Sequence, residues 1–169
     1  MMGAGKTTVA RIVAARTGRP AIDTDGEVER ALGLTVPDIF ARAGEAAFRR
    51  AESEVLRRAL DGGAPAVVSV GGGMVLDPAN RRAMADAGTV VWLRARPDTL
   101  AARAGALGDR PLLHAGGETP ADVLARLAAA RRPYYEEVAG AVVDVDDLSA
   151  EEVADRVVAC LGTVSGGVP

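Results

Sequence analysis

The sequence predicts an α/β fold, a three-layer sandwich in which helices cover both faces of a parallel sheet. Three observations carry that expectation. Short apolar, β-branched runs such as 64–70 and 89–93 alternate with segments of helical spacing. Helix starts and stops punctuate the junctions, among them Asp77-Pro78, Gly88 and Thr119-Pro120. A glycine-rich stretch, Gly3-Ala4-Gly5, opens directly into the first helical segment. In such a sheet, ligands sit beyond the carboxyl ends of the strands.

Taken in order, residues 5–17 place Thr8, Val9, Ile12, Val13 and Ala15 at helical spacing, up to a stop at Gly18. Pro20-Ala21-Ile22-Asp23 reads as a short buried strand. Val28, Leu32 and Leu34, then Val36, Ile39 and Phe40, indicate two short helices, and Gly44 to Leu60 a longer one carrying Phe48, Val55 and Leu56. Ala64 to Val70 is an apolar strand running into Gly71-Gly72-Gly73. A helix follows from Asp77-Pro78 to Gly88, a strand from Thr89 to Leu93, and a helix from Pro97 to about Arg103. The polar, glycine-bearing run around 104–118 reads as a mobile lid within one domain spanning 1–162. Thr119-Pro120-Ala121-Asp122 caps a helix to about Arg131, Ala141 to Val145 forms the last strand, and Ser149-Ala150-Glu151-Glu152 caps a final helix ending near Leu161. Residues 163–169 are expected to be a disordered tail.

Composition narrows the function classes. With 49% hydrophobic and 25% charged residues in 169, the chain can bury a core without disulfides or a structural metal. A net charge of −3 argues against a nucleic-acid binder held by a general positive field. The five aromatic residues, Phe40, Phe48, Trp92, Tyr134 and Tyr135, are too few for a base-stacking platform. Cys160 is the only cysteine, which excludes an internal disulfide or a multi-cysteine zinc site. There is no apolar run of about 18 residues and no secretory pattern at the start, so a cytoplasmic protein is expected.

Any anion must therefore be held locally. Gly3-Ala4-Gly5-Lys6-Thr7-Thr8 is the second half of a phosphate-binding loop, in which backbone N–H groups wrap phosphates, the lysine reaches the outer ones and a hydroxyl binds magnesium. Lys6 is the only lysine among 20 basic residues. Asp23-Thr24-Asp25 follows a strand, and its two alternate carboxylates are expected on one face of the sheet's carboxyl edge, suited to magnesium and a substrate hydroxyl. Either aspartate alone could instead cap the next helix. Glu45, Arg49 and Glu52 fall at i, i+4 and i+7, a polar stripe that by itself is most often a solvated face. Gly71, Gly72 and Gly73 let backbone approach a ligand closely. Arg110 lies in the expected lid and Arg131-Arg132-Pro133-Tyr134-Tyr135 closes a helix; single arginines in such places are mostly surface residues, and His114 reads as exposed.

Together, Gly-Ala-Gly-Lys-Thr, Asp23-Thr24-Asp25, Phe40 with Gly44-Glu45 and Phe48-Arg49, Gly71 to Gly73, Arg110-Pro111-Leu112-Leu113 and the Arg131 to Tyr135 segment resemble the shikimate kinase family in order and spacing across nearly the whole chain. The resemblance implies a five-stranded parallel sheet of the P-loop kinase type, whose central first strand and opening loop glycine are missing from this sequence. It implies phosphoryl transfer from ATP to the 3-hydroxyl of shikimate, a step of aromatic amino-acid biosynthesis, by a monomer with no nucleic-acid or membrane partner. Carried over, Gly3, Ala4, Gly5, Lys6, Thr7 and Thr8 bind the ATP phosphates, and Thr7 with Asp23 holds Mg2+. Asp25 binds the substrate hydroxyls and orients or deprotonates the nucleophile. Arg49, Gly71, Gly72, Gly73 and Arg131 complete the shikimate pocket, Phe40, Phe48 and Glu52 serve as walls and support, and Arg110 swings in over the phosphates. Lys6, Asp25 and Arg110 are the catalytic set. The segment Val145-Asp146-Asp147-Leu148 lacks the arginine that some members place near the adenine. The competing expectations are another small-molecule P-loop kinase, of gluconate or nucleotide type, and a catalytically impaired truncated member. Asp-Thr-Asp with the triple glycine argues against the first. The natural protein is expected to begin upstream of Met1, with an apolar strand and a glycine.

Overall fold

The structure is a computed structural model that describes residues 1–105 and 119–164. Helix α1 (Lys6–Thr17) starts directly after Gly5, whose φ of 80° is the left-handed conformation a side chain resists, and stops at Gly18, φ 66°. Strand β1 (Ala21–Asp23) pairs in parallel with β2 (Val67–Ser69), Ile22 lying opposite Val68. Between them run α2 (Thr24–Leu32), capped by the Asp23 side chain, and α3 (Val36–Leu60), capped by Thr35 with Pro37 in its first turn. Gly44, at φ 76° and ψ 168°, breaks α3 where two separate helices are expected, so they form one element with a kink.

Residues 71–73 lead from β2 into a 3₁₀ turn, Met74–Leu76, and then α4 (Pro78–Ala87), capped by Asp77. Strand β3 (Val91–Arg94) pairs in parallel with β4 (Ala141–Asp144). Helices α5 (Pro97–Gly105) and α6 (Pro120–Val138) separate these strands, and α7 (Ala150–Val164) follows β4. The strands are shorter than the apolar runs that announce them, because ladder pairing stops before the run does. Helix α6 continues seven residues past its expected end at Arg131, through Pro133. Its continuation is fixed from outside, since Arg131 and Tyr135, one turn apart, both donate to the Gly72 carbonyl. Helix α7 likewise reaches Val164, beyond the domain end expected at residue 162. Residues 106–118 of the expected lid, with Arg110 and His114, and the tail from 165 lie outside the described residues.

The main core joins α1 to the rest through Val9 and Val13, with Leu56 of α3, Met74, Leu93, Leu100, Leu124, Val143 and Val157. A second, small cluster, Val28, Ile39, Phe48 and Val55, fastens α2 to α3. Each such side chain stabilises the fold by ~1.5–3 kcal/mol relative to exposure. The described strands form two pairs, β1–β2 and β3–β4, with no ladder between β2 and β3, and a cavity of about 510 Å³ lies there.

Leu56 is fully buried in α3 and belongs to the main core, so Leu56→Ala should lower the unfolding free energy by ~2–5 kcal/mol. Urea titrations of both proteins measure this; an unchanged midpoint would mean that α3 does not seal the core.

Candidate active site

Backbone conformation makes the phosphate loop. Gly3 (φ 75°) and Gly5 (φ 80°) bend the chain into α1, and a Cβ on Gly3 would lie 2.4 Å from the Leu100 carbonyl oxygen. Ala4 is buried behind the loop, while Gly3, Gly5, Lys6, Thr7 and Thr8 line one cavity. The Lys6 Nζ donates to the Met1 carbonyl at 2.9 Å, which curls the lysine over the loop. At the helix N-terminus the unsatisfied N–H groups and the macrodipole favour an anion.

Thr7 Oγ1 donates to Asp23 Oδ2 at 2.5 Å, while Asp23 Oδ1 accepts from the Gly26 N–H at 3.2 Å. Asp23 therefore both ends β1 and caps α2. Asp25 is not the next-but-one residue of a strand, as the alternation argument expects, but sits in the first turn of α2. It still reaches the cavity, because Asp23 turns the chain there and a helix's first turn faces back toward the strand ends.

Three absent side chains shape the other wall. A Cβ on Gly71 would fall 2.1 Å from Glu52 Oε1 and 2.8 Å from Asp25 Oδ1, and one on Gly73 would fall 2.5 Å from the Arg49 guanidinium carbon. The Gly71 N–H donates to the hydroxyl of fully buried Thr24 at 3.1 Å, which locks this backbone against α2. The Glu45, Arg49, Glu52 stripe runs from an exposed end at Glu45, through half-buried Arg49, into the interior at Glu52. Arg49 donates to Glu52 Oε2 at 2.5 Å and to Glu45 Oε1 at 2.9 and 3.2 Å, with its guanidinium 5.3 Å from the Phe48 ring centre. Glu52 is 0% exposed. Burial pushes its carboxyl up to about 7 against the opposing pull of Arg49, and neighbouring Asp25 raises it further. Glu52 Oε1 and Asp25 Oδ1 are buried without a hydrogen-bond partner, and both converge on Gly71. A proton held on Glu52 relieves that convergence of two carboxylates.

Arg131, 5% exposed, donates to the Gly72 carbonyl at 3.2 Å, and among the described residues no carboxylate forms an ion pair with it. Burial lowers its pKa, and Arg49 adds repulsion, so the site carries a desolvated cation awaiting an anion. Arg132, by contrast, is exposed and pairs with Glu136. Tyr135 holds Gly72 from the other side, its hydroxyl donating at 2.8 Å while its ring stacks on Trp92 at 5.2 Å.

One cavity of about 390 Å³ thus gathers Gly3, Gly5, Lys6, Thr7, Thr8, Asp23, Asp25, Arg49, Gly71, Gly72, Gly73 and Arg131. Thr24 and Tyr135 as anchors of the glycine backbone went unmarked by the sequence reading; their only local signal is position beside a motif.

Because folding raises the Glu52 pKa from 4.5 to about 7, the native chain holds more protons than the unfolded one across that window. This group's contribution to stability is then fully present below 4.5 and lost as pH rises through about 7. Glu52→Gln should remove that component, so the stability difference between variant and wild type should move in the variant's favour between those pH values. Chemical denaturation at a series of pH values reads it, and parallel pH profiles would contradict a proton on Glu52.

These features find counterparts among known proteins. A family model described as Shikimate kinase matches residues 2–162. A shikimate kinase of Ruegeria pomeroyi is 45% identical over 163 residues, covering 96% of this chain and 82% of the relative. One of Symbiobacterium thermophilum is 46% identical over 159 residues, covering 93% and 90%. Among solved structures, shikimate kinase from Acinetobacter baumannii in complex with shikimate superposes with a TM-score of 0.91 at 34% identity, covering 98% of this chain and 91% of that one. A match that extends over nearly every element, and over the loop, the triple glycine, Arg49 and Arg131 within it, places this chain in the shikimate kinase family.

Proposed function

We propose that this chain transfers the γ-phosphoryl group of ATP to the 3-hydroxyl of shikimate, in the route to chorismate and the aromatic amino acids. The observation that carries this reading is the single cavity that brings a phosphate loop together with Asp25, half-buried Arg49 and buried Arg131. Arg49 and Arg131 supply planar forks for a carboxylate, Arg49 held in register by Glu45 and Glu52, Arg131 by Gly72. Gly71 to Gly73 bring backbone against the sugar-like ring, with Phe40 and Phe48 as its apolar wall.

In the reaction the substrate oxygen bonds to the γ-phosphorus, the bond from that phosphorus to the bridging oxygen breaks, and ADP leaves with the electron pair. Asp25 orients the hydroxyl and accepts its proton. Lys6 and the loop amides stabilise the charge that spreads over the transferring group. Thr7 and Asp23 offer a hydroxyl and a carboxylate side by side, hard oxygen donors that would hold Mg2+. When bound, Mg2+ neutralises phosphate charge. The family resemblance gives Arg110, which lies outside the described residues, a role toward the same phosphates. The proposed roles draw on one chain and one domain, which fits a monomer, and the use of ATP fits the cytoplasm. No helix among the described residues is long and apolar enough to cross a membrane.

Shikimate-dependent ADP release tests the reading directly. Lys6→Ala should cut turnover by roughly two orders of magnitude or more through loss of charge stabilisation. Asp25→Asn should cut turnover while leaving ATP binding intact. Near-wild-type turnover in Lys6→Ala would remove the assignment.

The arginine forks make a separate expectation. Arg49→Lys and Arg131→Lys keep the charge but lose the bidentate geometry, so each should raise the shikimate KM about tenfold with little change in ATP affinity. Unchanged shikimate KM values in both variants would move the carboxylate site elsewhere.

A further inference from the structure

A groove of about 750 Å³ between α3 and the start of α4 shares a wall with the reaction cavity. Arg49 and Gly73 line both spaces, so the guanidinium assigned to the substrate carboxylate also borders the groove. Ala47, Ala51 and Ser53 of α3 form one bank, and Leu76, Asp77 and Asn80 form the other.

Charge sets this groove apart from a solvated helix face. Its three carboxylates are already engaged: Glu45 pairs with Arg49, Glu54 pairs with Arg58, and Asp77 accepts the Ala79 N–H as the cap of α4. Arg50 and Arg57 also line it, and neither forms an ion pair among the described residues. Seven residues apart on one helix, they share a face and stand about 10 Å apart along its axis. That separation favours a ligand with two anionic groups over one with a single anionic group.

A buried amide supplies the second feature. Asn80 is 5% exposed, and its Nδ2 donates to the Ser53 hydroxyl at 2.9 Å and to the Met74 carbonyl at 3.4 Å. Its Oδ1 accepts no hydrogen bond from the described residues. The Ser53 hydroxyl in turn donates to the Arg49 carbonyl at 3.0 Å. A ligand donor at Asn80 Oδ1 would complete a chain of hydrogen bonds that ends on the backbone of Arg49. Leu76, 44% exposed, and the two alanines opposite it offer apolar surface to the body of such a ligand.

We propose that this groove is an effector site for an elongated, hydroxylated dicarboxylate. Its carboxylates meet Arg50 and Arg57, its body lies on Ala47, Ala51 and Leu76, and its hydroxyl donates to Asn80 Oδ1. Anionic groups beside Arg49 draw on the guanidinium that the substrate carboxylate needs, so effector and substrate weaken each other's binding by the same factor. This coupling rests on the assignment of Arg49 to the substrate carboxylate; occupancy of the groove does not.

The test titrates the 169-residue chain with 2-hydroxyterephthalate, which carries carboxylates at opposite ends of a ring and one hydroxyl, by isothermal calorimetry. Binding should be saturable. The double variant Arg50→Gln, Arg57→Gln should weaken it about tenfold or more, as should exchange of the probe for 4-hydroxybenzoate, which has one carboxylate. Arg131→Gln, a change in the reaction cavity, should leave it unaltered. Absence of saturable binding overturns the proposal. Binding that survives loss of Arg50 and Arg57, or that fails in Arg131→Gln, overturns it too, since the probe would then lie elsewhere. In turnover assays the probe should raise the shikimate KM about fivefold and then level off, with kcat unchanged, and should have no effect on the double variant. A KM that climbs without limit marks direct competition for the reaction cavity and overturns the effector role, as does a KM that stays put. A chain that binds the probe through Arg50 and Arg57 but never turns over shikimate removes the kinase reading and leaves the groove assigned.

Discussion

Residues 71–73 carry no side chains, and the site is built around that fact. Glu52 Oε1, Asp25 Oδ1 and the Arg49 guanidinium occupy the volumes that Cβ atoms would need at Gly71 and Gly73. A methyl group at either position would push a charged group off its partner. The Thr24 hydroxyl and the side chains of Arg131 and Tyr135 then fix this bare backbone by bonding Gly71 and Gly72. Side chains from α2, α3 and α6 thereby converge on one turn that follows β2.

That convergence explains the uneven treatment of half-buried Arg49 and buried Arg131. Arg49 is surrounded by carboxylates, and its geometry is set before any ligand arrives. Arg131 bonds the Gly72 carbonyl and the Met1 sulfur, forms no ion pair with a carboxylate among the described residues, and is repelled by a neighbouring guanidinium. A desolvated cation without a counter-charge is expensive, and an incoming carboxylate relieves the cost. The raised pKa of Glu52 reflects the same balance, since burial and the neighbouring Asp25 both disfavour its charged form against the pull of Arg49.

The phosphate loop depends on a different part of the molecule. Its helix, α1, is held by Val9 and Val13 in the main core and by packing on α7. Loop and pocket share that core through Leu56, Met74 and Tyr135, and β1 with β2 aligns them: Asp23 and the 71–73 turn both leave the carboxyl ends of that pair. The opening between β2 and β3 lies alongside this frame rather than within the site, and Lys6 and Ser69 border it at the end nearest the phosphate loop.

Local chemistry made much of this legible in the sequence. The left-handed glycines, the Asp23, Thr35, Asp77 and Thr119 caps and the phosphate loop act within a few residues of themselves, so their residue types state their geometry. The i, i+3 and i+4 spacing around Arg49 likewise foretold which acids it could reach. Only the tertiary structure decided whether that stripe faced water. Glu52 is buried because β2 delivers a glycine opposite it, a fact separated from it by 19 residues of chain. Asp25 reaches the cavity by a different local route from the one strand alternation suggests, since a cap at Asp23 turns an expected strand edge into a helix start. Helix α6 outran its expected end because two of its side chains bond a carbonyl on a distant turn, and an anchor of that kind leaves no mark on the segment's own sequence. Propensities and caps act along the chain, whereas burial and long-range hydrogen bonds exist only once distant segments meet.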